Sequence, residues 1–137
     1  MDKPVIAVAL ALVLRNGLWL VARRPRELHA GGLWEFPGGK QHADEAPAQA
    51  ACRELLEECN VHATPLEVLA PVACEYDDRV VRLTPVLCRW EGGEPRPAAS
   101  DECRWVPSDE LLRLPMPPAN AGIVQAVLRH LGLHAAH

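Results

Sequence analysis

The segment from Gly38 to Val61 constrains the fold more than any other stretch, because it joins adjacent glycines to an amphipathic pattern rich in carboxylates. At about 100° per residue, Glu57 and Glu58 lie one turn beyond Glu54 on one side of the predicted helix. The other side, which is predicted to face a core, carries small and aliphatic residues: Ala48, Ala51, Cys52, Leu55 and Cys59.

The acidic side of this helix favours a bound cation. Carboxylates three and four residues apart repel each other and destabilise an isolated helix by roughly a few tenths of a kcal/mol per pair. A divalent cation would offset the repulsion, and hard oxygen ligands suit Mg²⁺ or Mn²⁺. A solvated helix face is the competing interpretation when the cluster is considered alone.

Length and charge limit the classes of protein that fit. The 137 residues predict one domain over 1–137, with a loose tail over 133–137. The net charge of −4 argues against a nucleic-acid binder, whose surface would be basic. A phosphorylated small molecule with bound metal remains compatible, since the metal supplies positive charge locally.

The five cysteines form no CxxC pair, which argues against a zinc site or a disulfide framework and favours reduced thiols in the cytoplasm. The longest apolar run, Val5 to Leu14, is too short to span a bilayer, so no membrane partner is expected.

The rest of the chain alternates strand and helix patterns. Asn16-Gly17 predicts a hairpin, Pro37-Gly38-Gly39 a turn, and Pro85 an edge strand or a bulge. The predicted strands are Pro4–Leu14, Leu18–Ala22, Leu33–Phe36, Leu66–Glu75, Val80–Trp90 and Arg104–Val106.

Capping residues predict where the helices begin and end. Asp44 is the predicted N-cap of the acidic helix, with Pro47 in its first turn and Asn60 in a left-handed conformation after its end. Ser108 is predicted to cap a short helix, 109–114, and Asn120 to precede a last helix, 121–131.

One long motif identifies a family. Eight of nine specified positions match G-x5-E-x7-R-E-U-x-E-E-x-G-U, where U is a bulky aliphatic residue: Gly39, Glu45, Arg53, Glu54, Leu55, Glu57, Glu58 and Val61. This pattern closely resembles the signature of the Nudix hydrolases. The departure is Asn60, where the family has glycine, and Asn tolerates the left-handed conformation.

Flanking residues resemble the MutT branch of that family: Arg23-Arg24, His29, Trp34 to Lys40, and Pro117 to Asn120. The resemblance implies an α+β fold, an α/β/α sandwich with a mixed β-sheet between helices. It implies hydrolysis of a nucleoside triphosphate to the monophosphate and pyrophosphate with Mg²⁺ or Mn²⁺, by a monomer or homodimer. The expected substrate is 8-oxo-dGTP, whose removal avoids mutation.

The resemblance also implies roles for particular residues. Metal binding falls to the Gly38 carbonyl, Glu54, Glu57 and Glu58, with Glu54 as the first candidate for general base. Arg53 would hold the carboxylates, and Gly39 and Glu45 would support the loop–helix junction. Nucleotide contacts fall to Arg24, His29, Glu35, Phe36, Pro37, Gly38 and Asn120.

Simpler interpretations stay open for several of these residues. Arg53 and Glu45 can form an ordinary salt bridge, and Asn120 can cap a helix while also reading a base. Arg24 and His29 can lie on a solvated loop. Asp101 and Glu102 lie about two residues later than a further acid of many relatives, and an acidic turn explains them equally.

Three functions are therefore consistent with the sequence. The first is 8-oxo-dGTP hydrolysis, and the second is hydrolysis of CTP or another modified nucleotide. The third is a non-catalytic ligand-binding module, against which the intact Glu54, Glu57 and Glu58 argue.

Overall fold

The computed structural model describes residues 2–28, 31–96, 100 and 102–133. These residues form eight strands and three helices. In chain order they are β1 (Val5–Arg15), β2 (Leu18–Arg23), β3 (Trp34–Glu35), β4 (Gly38–Lys40), α1 (Pro47–Cys59), β5 (His62–Val68), β6 (Val72–Glu75), β7 (Val80–Gly92), β8 (Glu102–Pro107), α2 (Ser108–Leu111) and α3 (Pro118–His130).

The strands make one mixed sheet in the order β3-β2-β1-β7-β5, with β4 on β1, β6 on β7 and β8 on β2. Only β1 and β7 are parallel among these pairs. The β1–β2 hairpin turns at Asn16-Gly17, both with positive φ, as predicted.

Helices cover both faces of the sheet, which confirms the predicted α/β/α sandwich. Alternate residues of β1 face opposite layers, so Ala9 and Ala11 pack against α1 while Leu10 and Leu12 pack towards α3. The α1 layer is built from small residues, which let the helix lie close to the sheet. No helix in the described ranges is long and apolar enough to cross a membrane.

The predicted N-cap of α1 is wrong. Asp44 has φ of 66° and lies before the helix, and Ala46 occupies the N-cap position. The Ala46 N–H donates to the Gln49 side chain at 2.9 Å, which satisfies a donor at the helix start. The predicted end is confirmed, since Asn60 is left-handed with φ of 59° and ψ of 33°.

Gly38 and Gly39 form a strand and not the predicted turn. They pair with Leu10 and Ala9 of β1. The predicted strand Leu66–Glu75 is also wrong, because β5 begins at His62 and the strand is interrupted at 69–71. Pro85 lies opposite that interruption on an interior strand. Because no strand residue faces it there, its missing N–H does not cost the sheet a hydrogen bond.

Two further caps differ from prediction. Ser108 begins α2 and does not cap it; its hydroxyl accepts a hydrogen bond from Trp19 Nε1 at 3.0 Å. Asn120 lies in the first turn of α3, after the cap residue Pro117, and is buried. The predicted loose tail is outside the described residues beyond 133.

Candidate active site

Two glutamates of α1 face the β3–β4 segment. The Glu58 carboxyl lies beside the Glu54 carboxylate and the Gly38 backbone N–H, both of which affect its pKa. The Glu57 side chain is 58% exposed and lies 3.3 Å from Arg53 Nη1. The structure therefore brings together Glu54 and Glu58, while Glu57 stands further into solvent.

The grouping of Glu54 and Glu58 is electrostatically unfavourable without a cation. Burial, the Glu54 charge and the Glu35 charge raise the pKa of Glu58 to about 8. Within the described ranges, no three His, Cys, Asp or Glu side chains already surround a possible metal position. The chemistry of the donors nevertheless fits Mg²⁺ or Mn²⁺, since crowded carboxylate oxygens are the ligands that such hard ions prefer.

Arg53 holds the carboxylates in place. Its guanidinium donates to Glu45 at 2.8 and 2.9 Å, to Glu54 at 2.9 Å and to the Lys40 carbonyl at 3.0 Å. Glu45 also accepts from the His42 N–H at 2.8 Å. These bonds lower the pKa of Glu45 to about 2 and raise the pKa of Arg53. One guanidinium thus ties α1 to the preceding loop and to β4.

The two glycines of β4 allow two different close approaches. A Cβ on Gly39 would overlap the Glu54 carboxylate, and a Cβ on Gly38 would overlap the Ala9 carbonyl oxygen on β1. Neither glycine has a positive φ. Glycine can adopt a positive φ or, because it lacks a side chain, let neighbouring atoms approach closely. At these two positions its role is the close approach.

The segment from Glu35 to Gly38 connects these carboxylates to α3. Burial raises the pKa of Glu35, and Arg24 Nη1 at 3.4 Å partly opposes that rise. The Phe36 N–H donates to Asn120 Oδ1 at 3.4 Å, and the Pro37 carbonyl accepts from the Ala11 N–H at 2.7 Å. The predicted nucleotide-contact residues 35–38 and Asn120 are therefore neighbours, whereas His29 is outside the described residues.

Glu102 does not join the glutamates of α1 in this structure. Its carboxylate pairs with Arg104 at 2.9 Å and with Arg23 at 3.7 Å. Asp101 lies outside the described residues.

Trp34 lies between the two arginines that pair with Glu102, and the sequence did not predict this contact. The guanidinium carbons of Arg23 and Arg104 lie 5.6 and 4.8 Å from the centre of the Trp34 ring, within cation–π range. Arg23 pairs with Trp34 across strands β2 and β3, and with Glu102 across β2 and β8. Strand alternation could place each residue on a face, but only the sheet order makes them neighbours.

An apolar groove of about 280 Å³ lies elsewhere, between α3 and the connection from β5 to β6. Its lining includes Ile123 and the ion pair between Glu67 and His130 but none of the α1 carboxylates. Because the carboxylates that could hold a divalent cation lie on α1, the candidate active site is assigned to α1 and β4 and not to this groove.

Known proteins resemble this chain in sequence. The family model described as the NUDIX domain matches residues 8–126. A CTP pyrophosphohydrolase from Escherichia coli is 33% identical over 123 residues, covering 90% of this chain and 91% of the relative. An 8-oxo-dGTP diphosphatase from Haemophilus influenzae is 36% identical over 131 residues, covering 93% and 95%.

A solved structure agrees with these sequence matches. The solution structure of the E. coli ORF135 protein superposes with a TM-score of 0.83 at 30% identity, covering 98% of this chain and 96% of the other. The mixed sheet and its helices therefore belong to an architecture that the two proteins share.

Proposed function

Since the chain belongs to the Nudix hydrolase family, we propose that it hydrolyses a nucleoside triphosphate to the monophosphate and pyrophosphate. One observation carries this proposal. Glu54 and Glu58 lie side by side against β4, and Arg53 fixes Glu54 to Glu45 and the Lys40 carbonyl. Such an anchored group of carboxylate oxygens could hold a divalent cation, which would offset the charge of a strongly anionic substrate that reacts with water.

The chain's residues would divide the work. Glu54, held at 2.9 Å by Arg53, would orient the attacking water and accept its proton. Arg53 and Glu45 would act as positioning residues, because their charges satisfy each other and not the substrate. Arg24, which already lies beside Glu35, would bring a guanidinium to the nucleotide.

Nudix hydrolases generally use divalent metals, and we propose Mg²⁺, with Mn²⁺ as a substitute. Glu54, Glu57, Glu58 and the Gly38 carbonyl would hold the ion. When bound, it would neutralise phosphate charge and polarise the phosphoryl oxygens.

Asn120 is the residue that supports a choice of nucleobase in the substrate. Its Oδ1 receives the Phe36 N–H, and no described residue accepts from its Nδ2 group. That group is available to donate to a carbonyl oxygen of a purine, so 8-oxo-dGTP is the proposed substrate. The similarity to the CTP pyrophosphohydrolase favours CTP as the second candidate, since a cytosine also offers a carbonyl acceptor.

A pyrophosphate-release panel with Mg²⁺ tests both candidates, using 8-oxo-dGTP, dGTP, dATP, CTP, dCTP and 5-methyl-dCTP. We expect 8-oxo-dGTP to exceed dGTP in kcat/KM by more than about tenfold, because a site built for one hydrogen-bond pattern discriminates strongly. A pyrimidine with the highest kcat/KM would replace the substrate and keep the reaction. No turnover with either metal would favour the non-catalytic ligand-binding module.

A cytoplasmic location and a role in clearing oxidised nucleotides before replication belong to the same proposal. The five free thiols suit a reducing compartment. The expected partner is a small-molecule nucleotide and not DNA or RNA, in keeping with the net charge of −4.

A further inference from the structure

Four of the five cysteines lie in two pairs between α1 and the sheet. Cys52 and Cys59 are seven residues apart on the buried side of α1. Cys52 lies beside Cys88 of β7, and Cys59 lies 3.7 Å, sulfur to sulfur, from Cys103 of β8. Each pair therefore joins the catalytic helix to a different strand.

The two pairs differ in their access to solvent. Cys88 is completely buried, and its partner Cys52 donates to the Ala63 carbonyl at 3.5 Å. Burial raises the pKa of Cys88 to about 12, so this pair behaves as small apolar groups. In the other pair Cys59 is 1% exposed, but Cys103 is only partly buried.

The accessible thiol also has the more reactive surroundings. Cys103 Sγ lies 3.7 Å from Ser100 Oγ as well as from Cys59 Sγ. The hydrogen bond between the two thiols lowers the pKa of Cys103 to about 7. A peroxide arriving from solvent would therefore meet Cys103 first, with Cys59 directly behind it.

We propose that Cys103 and Cys59 form a reversible, peroxide-driven disulfide that links the end of the catalytic helix to β8. The Cys103 thiolate attacks one oxygen of hydrogen peroxide, breaks the O–O bond and becomes a sulfenic acid, and the leaving hydroxide takes a proton to give water. The Cys59 sulfur then attacks the sulfenic sulfur, and hydroxide leaves as a second water with the Cys59 proton. Two thiols are oxidised and one peroxide is reduced to two waters.

The link would alter the active site through the helix. The sulfurs must approach by about 1.7 Å, the difference between 3.7 Å and the disulfide length of about 2.0 Å. Glu58 directly precedes Cys59, so movement of the helix end displaces a carboxylate of the site. A misplacement of about 1 Å can cost about a hundredfold in rate, and we expect kcat to fall by about tenfold or more.

The test titrates the reduced, full-length chain with hydrogen peroxide, then blocks the remaining thiols with iodoacetamide after denaturation. Intact mass should show two of the five thiols lost together, and dithiothreitol should restore them. An unreduced tryptic map should show peptide 54–79 joined to peptide 90–104. Peptide 54–79 also contains Cys74, so Cys74→Ser makes the assignment to Cys59 unique.

Matched variants separate this disulfide from general oxidation. Cys74→Ser should still lose its pair of thiols, whereas Cys103→Ser should retain all of its thiols and its activity at the same peroxide dose. Persistence of all five thiols, a Cys52–Cys88 link, or sulfinic acid at Cys103 without a link would overturn the pair. The activity readout rests on the proposed function, and the peptide map does not; a linked enzyme with unchanged kcat would overturn the coupling alone.

Discussion

Arg53 and Glu45 form a two-point ion pair, with Nε to Oε2 at 2.8 Å and Nη2 to Oε1 at 2.9 Å. Both side chains are mostly shielded from solvent, at 22% and 13% exposed. The remaining Nη1 group reaches Glu54 at 2.9 Å. The ion pair therefore sets the position of the carboxylate that we propose as catalytic, without itself touching the reacting atoms.

Arg53→Lys should lower kcat by about ten- to a hundredfold, because lysine keeps the charge but cannot hold Glu45 and Glu54 together. Melting temperature should fall as well, and KM should change less than kcat. Steady-state kinetics with Arg79→Lys, on an exposed turn, as the control would measure this. Equal kinetics for the two variants would contradict the positioning role.

Alanine substitutions at the two adjacent glycines should differ in effect, one on activity and the other on stability. Gly39→Ala should displace the flexible Glu54 side chain and reduce kcat while the protein stays folded. Gly38→Ala should press on the β1 backbone and lower the free energy of unfolding by about 1–3 kcal/mol. Thermal denaturation and kinetics of both variants would check the contrast, and a stable, fully active Gly39→Ala protein would refute it.

Glu54→Gln should reduce kcat by about 10²- to 10⁴-fold, since the amide cannot accept the proton of the attacking water. The melting temperature should stay near that of the wild type, and circular dichroism should be unchanged. Glu91→Gln, which alters an exposed carboxylate at the end of β7, is the matched control. Near-normal turnover by Glu54→Gln would assign the base elsewhere.

Stability of the metal-free protein should fall as pH rises. The pKa of Glu58 is raised in the folded state from 4.5 to about 8, so the folded chain binds more protons than the unfolded chain across that range. The free energy of unfolding therefore decreases as pH rises from 4.5 to about 8. Melting curves in EDTA should show this slope in the wild type and in Glu57→Gln, and a weaker slope in Glu58→Gln. Equal slopes in all three proteins would argue against Glu58 as the source.

Asn120→Ala should lower the free energy of unfolding by about 1 kcal/mol through loss of the Phe36 hydrogen bond. Its main effect should be on base selectivity, with kcat/KM for the preferred nucleotide falling by more than about tenfold relative to the others. Gln125→Ala, on an exposed position of the same helix, provides the comparison. A uniform loss over all nucleotides would instead indicate that Asn120 only positions the Phe36 segment.

Local sequence patterns predicted individual turns and caps better than they predicted how strands pair. The Asn16-Gly17 hairpin and the left-handed Asn60 were predicted correctly, because their backbone conformations depend on the residues themselves. The turn at Gly38-Gly39 was wrong because glycine is compatible with turns and strands alike. Pairing with Ala9 and Leu10, which are nearly 30 positions earlier in the chain, decided between them.

The sequence by itself determined the family, the acidic helix and the first strand, since these depend on residue type and spacing along one element. Only the tertiary structure decided that Glu58 meets Gly38, that Asn120 receives the Phe36 N–H, and that Cys59 faces Cys103. Those contacts join separate elements. Their geometry is set by the order of strands in the sheet and by the packing of α1 and α3 on its two faces, and neither has a periodic signal in the chain.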